Sequence, residues 1–265
     1  MRVSAPVLAL AAVVIGGCGG SEESSRTATP PVPDALTVVA LGDSWPEGAH
    51  CGGCRTFAGL YADGLAAEGN RRVTFVDLTG QAQPFFEEEG GGTASLLHAL
   101  RDPGSFTEQV ASGDVIMIAT GPNEIDRALE PYRAGDCGRH DDFECLAQLE
   151  SFWRDNFAAI LEDIESLRDG KPTAVRLVSA ANFFVSEPGA TDGLPADAMA
   201  FGARMFEALN DAACAAARTH DAVCVDVRPV LNGPTLDRRV DENSTESMRA
   251  VAEALLATGL GDLRD

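Results

Sequence analysis

The sequence predicts an α/β protein, a three-layer α/β/α sandwich around one doubly wound parallel sheet of about five strands. Three observations carry this prediction. Apolar, β-branched runs alternate with helix-patterned segments from residue 35 to the C-terminus. One of these runs, residues 115–119, is apolar throughout, as expected of a strand buried on both faces. The residues that bear chemistry, Ser44, Gly80 and Asn123, come just after those runs, and such sheets bind ligands at the carboxyl ends of their strands.

In chain order, residues 36–41 form the first strand and 57–67 the first helix. Residues 73–78 form the second strand. Residues 95–111 are helical, interrupted at Asp102-Pro103-Gly104. Residues 115–119 are the third strand. Residues 143–167 give the strongest helical signal, with Leu146, Leu149, Trp153, Phe157, Ile160, Ile164 and Leu167 on one face. Gly170-Lys171-Pro172 closes that helix, and residues 174–180 form the fourth strand. Residues 195–218 are Ala-rich and helical, 223–227 form a short fifth strand, and 244–257 the last helix.

Before this domain lies a targeting segment. Arg2 precedes the apolar stretch 3–15, which is too short for a mature membrane span. Ile15-Gly16-Gly17-Cys18 resembles the lipobox of bacterial lipoproteins. Residues 1–17 are therefore expected to be a signal peptide, with Cys18 lipidated. Residues 18–34, rich in Gly, Ser, Glu, Thr and Pro, are expected to be a disordered tether. Residues 35–265 then form one domain, exported and lipid-anchored to the outer face of the cell membrane. A formal charge of −21 argues against nucleic acid and against a basic lipid-binding patch. Contact with the membrane is thus expected only through the anchor, and the domain is expected to be a monomer.

Six cysteines remain in the exported part, an even number that favours disulfides outside the cytoplasm. Their grouping points to local pairs: Cys51–Cys54, Cys137–Cys145 and Cys214–Cys224. Zinc at Cys51-Gly-Gly-Cys54 needs a second ligand pair, and the remaining cysteines sit singly in their loops. A redox-active pair is disfavoured because the motif follows a serine-bearing turn and opens no thioredoxin-like helix.

Gly42-Asp43-Ser44 after the first strand, a glycine near residue 80 after the second and Gly121-x-Asn123 after the third together resemble the SGNH (GDSL-type) hydrolases, particularly secreted and lipoprotein members with cysteine pairs in the same loops. The resemblance covers most of residues 36–258. It implies a flavodoxin-like fold and hydrolysis of ester bonds in small acylated substrates by a serine nucleophile, without metal or cofactor. It assigns Ser44 as nucleophile. It assigns the Ser44 N–H, the Gly80 N–H and the Asn123 amide to the oxyanion hole, with Ala82 as the alternative to Gly80. Glu124 stands where the family usually has Asp.

The family's fourth block, Asp-x-x-His before the final helix, departs from the pattern. The corresponding stretch runs from Leu236 to Met248 and contains no histidine. Imidazole is the usual activator of a serine hydroxyl. Glu242 and Asp241 are the candidate base region, with Glu246, His50 and His140 as further options. Glu246 also fits a capping box with Asn243 as N-cap. His98 and His220 read as structural. Trp45, Phe85-Phe86 and Phe183-Phe184 lie where they would line a pocket or belong to the core. Two readings follow: an ester hydrolase with an unorthodox base, or an inactive relative that binds an acylated glycan, a lipid or a protein partner.

Overall fold

The computed structural model describes residues 34–48, 51–82, 91–137, 144–184, 196–236, 241 and 243–264. The expectations for residues 1–33, including Cys18, and for His50, His140, Phe85, Phe86 and Glu242 lie outside the described residues.

Five parallel strands form one sheet: β1 (Ala35–Gly42), β2 (Arg72–Asp77), β3 (Val115–Ala119), β4 (Ala174–Val178) and β5 (Val223–Val225). Their spatial order is β2-β1-β3-β4-β5. This is the doubly wound flavodoxin-like order, with its switch point between β1 and β3. The helices are α1 (Ser44–Glu47), α2 (Phe57–Gly69), α3 (Gly92–Arg101), α4 (Ser105–Ser112), α5 (Asp126–Ala134), α6 (Glu144–Arg168), α7 (Ala196–Thr219), α8 (Arg228–Leu231) and α9 (Thr245–Leu256).

Alternate residues of each strand feed two cores. Val39, Leu41, Ile116, Ile118, Val175 and Leu177 pack with α3, α4, α6 and α7 around the fully buried Trp153. Val38, Ala40, Val115, Met117, Ala174 and Val178 face α2 and α9, meeting Phe57, Tyr61, Met248 and Leu255. The period-2 alternation of the strands thus builds both faces of the sandwich. Arg176 breaks that apolar pattern on β4. Its buried guanidinium donates to Thr258 Oγ1 and to the Gly259 carbonyl, fastening the turn after α9 to the sheet.

Three disulfides, Cys51–Cys54, Cys137–Cys145 and Cys214–Cys224, staple local loops. Among the described residues, no helix is long and apolar enough to cross a membrane. The broken helix divides into α3 and α4 at residues 102–104, and α3 starts three residues earlier than the pattern indicated. Ser244, not Asn243, caps α9: its Oγ accepts the Ser247 N–H at 3.1 Å. With Ser247 at the third helical position, Glu246 is an exposed residue of the first turn and closes no capping box.

Gly42 sets the closeness of β1 to β3. Its φ is +144°, and a Cβ there would lie 2.0 Å from the Ala119 carbonyl oxygen. Gly42→Ala is expected to destabilise the fold by about 3 kcal/mol or more, because backbone strain and a backbone clash combine. Urea unfolding of the variant against the parent checks this.

Candidate active site

Each strand of the central group ends in a functional turn. β1 passes into α1, placing Ser44 at the first helical position. β3 passes through Gly121 (φ +118°) into a 3₁₀ turn, Pro122–Glu124, which carries Asn123. After β4, both backbone groups of Ala180 are held by the buried Asn210 amide of α7, at 2.7 and 2.9 Å. Asn182 exchanges two backbone bonds with the Asn232 amide, at 2.8 and 2.9 Å. These pinned turns meet at a cleft of about 130 Å³ lined by Ser44, Trp45, Asn123, Ala180, Phe183 and Asn243, together with Asp43 and Pro122. Trp45 rests on Phe57 and Phe183 on Phe206, so both aromatic walls are backed by core rings.

Ser44 and Asn123, far apart in sequence, therefore share one cleft. Among the described residues, neither the Ser44 hydroxyl nor the Asn123 amide has a hydrogen-bond partner. Both remain available to a ligand.

The Gly80 assignment requires correction. Gly80 lies at the site, but its N–H donates to the Gly42 carbonyl at 3.0 Å and is spent on the β1–β2 junction. The Ala82 N–H has no partner among the described residues, and Ala82 lines a small chamber beside Asn123. An oxyanion hole needs only an aimed N–H, which Ala82 retains. The base region also sorts itself. Asp241 is exposed, and its carboxylate accepts the Asn243 N–H at 3.1 Å; Asn243, not Asp241, reaches the cleft wall. His220 lies near Lys171 in a separate groove between the ends of α6 and α7.

Two acids acquire roles that their side-chain type does not announce. Glu124 is fully buried. Its carboxylate accepts from Thr93 Oγ1 at 2.7 and 2.8 Å, from the Ala94 N–H at 2.9 Å and from the Trp153 indole at 2.8 Å. Asn156 donates to Thr93 Oγ1, extending the network along α6. Burial pushes the Glu124 carboxyl up, against these donors. The longer side chain, compared with Asp, lets it reach both α3 and α6 from the turn next to Asn123. Asp43 borders the cleft, yet its Oδ2 is sealed from solvent with no partner. Burial pushes its carboxyl up to about 7, opposed by the Trp45 and Gly121 N–H groups and reinforced by the nearby Glu124 charge.

No sequence-family model matches the chain, and neither does any curated protein. The fold and the strand-end site nevertheless define a class: this is the fold of the SGNH, or GDSL-type, hydrolases. Among solved structures, the chain is similar to a lipase from a goat rumen metagenome, with 22% identity and a TM-score of 0.66, over 86% of this chain and 99% of that one. It is also similar to an extracellular lipase from Streptomyces rimosus (15%, TM-score 0.57, 84% and 99%). A third is a phospholipase A1 from Streptomyces albidoflavus NA297 (13%, TM-score 0.55, 84% and 99%).

Glu124→Ala is expected to cost about 3–5 kcal/mol, because three buried donors lose their acceptor together. Chemical denaturation measures it directly. For Asp43, the folded protein holds a proton between about pH 4 and 7 that the unfolded chain has released. Its contribution to stability therefore falls as pH rises through that window. Thermal unfolding from pH 4 to 8 should show a decline in the parent that Asp43→Asn flattens, and identical slopes in the two proteins would refute the assignment.

Proposed function

We propose that this chain is a serine ester hydrolase. Ser44 is the nucleophile. The Ser44 N–H, the Ala82 N–H and the Asn123 amide receive the oxyanion. The observation that carries this reading is that Ser44 and Asn123 face one cleft with their polar groups unspent. In the reaction, Ser44 Oγ adds to the ester carbonyl and passes its proton to a base. Negative charge develops on the former carbonyl oxygen, where pre-aimed donors act without reorganising. The alkoxy group leaves as the alcohol, and water then releases the acid from the acyl-serine. The substrates are small acylated molecules bounded by Trp45 and Phe183. The base is a carboxylate of the turn at residues 241–243, Glu242 before Asp241. Support for this comes from Asn243, which lines the cleft from the same turn. The domain works outside the cell, monomeric and tethered through lipidated Cys18, as the lipobox-like sequence implies.

A second reading has its own observation. Among the described residues, no imidazole or carboxylate bonds the Ser44 hydroxyl. A protein that holds an acylated glycan, a lipid or a protein partner without turnover needs no such bond.

A fluorophosphonate probe with intact-mass readout separates the two readings. Hydrolase chemistry gives a single adduct on Ser44 that Ser44→Ala abolishes, and no adduct after overnight incubation leaves only the binding protein. With activity in hand, Asn123→Ala should lower kcat by about 10²–10³. A carboxylate base keeps the rate up well below pH 6, and Glu242→Gln should then remove most of it.

A further inference from the structure

Behind the cleft lies a second, much smaller space. It is a chamber of about 20 Å³ lined by Gly42, Asp43, Gly80, Ala82, Gly91, Gly92, Ser95, Leu96 and Asn123. Asp43 and Asn123 line both spaces, so the chamber adjoins the Ser44 cleft. Four of the lining residues, Gly42, Gly80, Gly91 and Gly92, are glycines.

Two buried polar atoms without hydrogen-bond partners belong to residues of this one chamber: Asp43 Oδ2 and Ser95 Oγ. Ser95 is 3% exposed, on the first turn of α3, where Thr93 and Ala94 already serve Glu124. Buried polar atoms are almost always satisfied by protein or by ordered water. A polar cavity holds a water once its volume passes roughly 10–15 Å³ on this measure, and such waters make about three hydrogen bonds. The chamber has the size for one molecule and the partners to hold it.

We propose that this chamber binds one water molecule between Asp43 Oδ2 and Ser95 Oγ, and that the water turns the Asn123 amide towards the cleft. The hydrogen accounting is complete. With Asp43 ionised, the Ser95 hydroxyl donates to the water, which donates one hydrogen to Asp43 Oδ2 and the other to Asn123 Oδ1; with Asp43 protonated, its Oδ2–H donates to the water, which donates to Ser95 Oγ and Asn123 Oδ1. An amide whose oxygen faces the chamber presents its NH₂ to the opposite side, where the oxyanion forms. Ser95 is thereby a positioning residue that touches no substrate and acts through the water and Asn123. The orienting role rests on the hydrolase reading; the water site does not.

A crystal structure of the full-length protein at about 1.5 Å, a resolution that shows waters without hydrogens, tests the site. The expected result is a single peak within hydrogen-bond distance of both Asp43 Oδ2 and Ser95 Oγ; density without that peak overturns the proposal. Hydrolysis of p-nitrophenyl acetate tests the role. Ser95→Ala should lower kcat about ten- to a hundredfold while KM stays within about twofold, as for a misaimed donor. Ser95→Val, which fills the chamber with methyl groups, should do the same. Unchanged kcat in both variants overturns the positioning role. Failure of the parent protein to label at Ser44 overturns the hydrolase reading and, with it, the orienting role, while the water peak stands or falls on the density.

Discussion

The buried Glu124 carboxylate is where the turn after β3, the start of α3 and the middle of α6 meet. A buried acid without partners would carry a large desolvation penalty, so the three donors fix its position tightly. Asn123 is its neighbour in a 3₁₀ turn of three residues. The placement of a side chain that lines the cleft is thus inherited from the network around Glu124. The same carboxylate occupies the space beside Gly92, where a Cβ would lie 2.6 Å from it. The sequence Gly91-Gly92-Thr93-Ala94 is shaped by that acid as much as by the helix it opens.

Asp43 and Glu124 are like charges near each other at the switch point of the sheet, and each is pushed towards its neutral form by burial. Their environments differ in kind. Glu124 has strong donors on its oxygens, whereas Asp43 has backbone N–H groups on one side and an oxygen without a partner on the other. Asp43, with an oxygen that no donor reaches, is held up to about 7, whereas the donors around Glu124 oppose its upward shift. A serine beside a neutral acid meets less repulsion against developing negative charge than one beside a carboxylate.

The strands were legible as β-branched, apolar runs alternating with helical patterns, and most clearly at β3, which is buried on both faces. α5 (Asp126–Ala134) was not, since its sequence is polar and carries Pro131 inside the helix; it is held by packing against α6 and by Tyr132, which stacks on Phe201 of α7. Ser44 and Asn123 were legible as polar residues at strand ends. Gly80 misled because position at a strand end says nothing about whether the N–H is already bonded, and here the chain uses it to join β2 to β1. Nothing in the sequence pattern marked Glu124, Asp43 or Ser95 as buried. Their burial comes from contacts between segments some 30 to 80 residues apart, which no local pattern encodes. Asn210 is the same kind of case, a single amide in an Ala-rich helix that holds the backbone of a cleft residue.

The strand direction also sets where the chain enters relative to the cleft. β1 lies between β2 and β3 and is eight residues long, so Ala35 and Ser44 lie at opposite ends of a span of roughly 25 Å. The chain thus enters the domain at the amino-terminal edge of the sheet, and the cleft opens at the opposite edge, where β1 passes into α1 and β3 into its 3₁₀ turn.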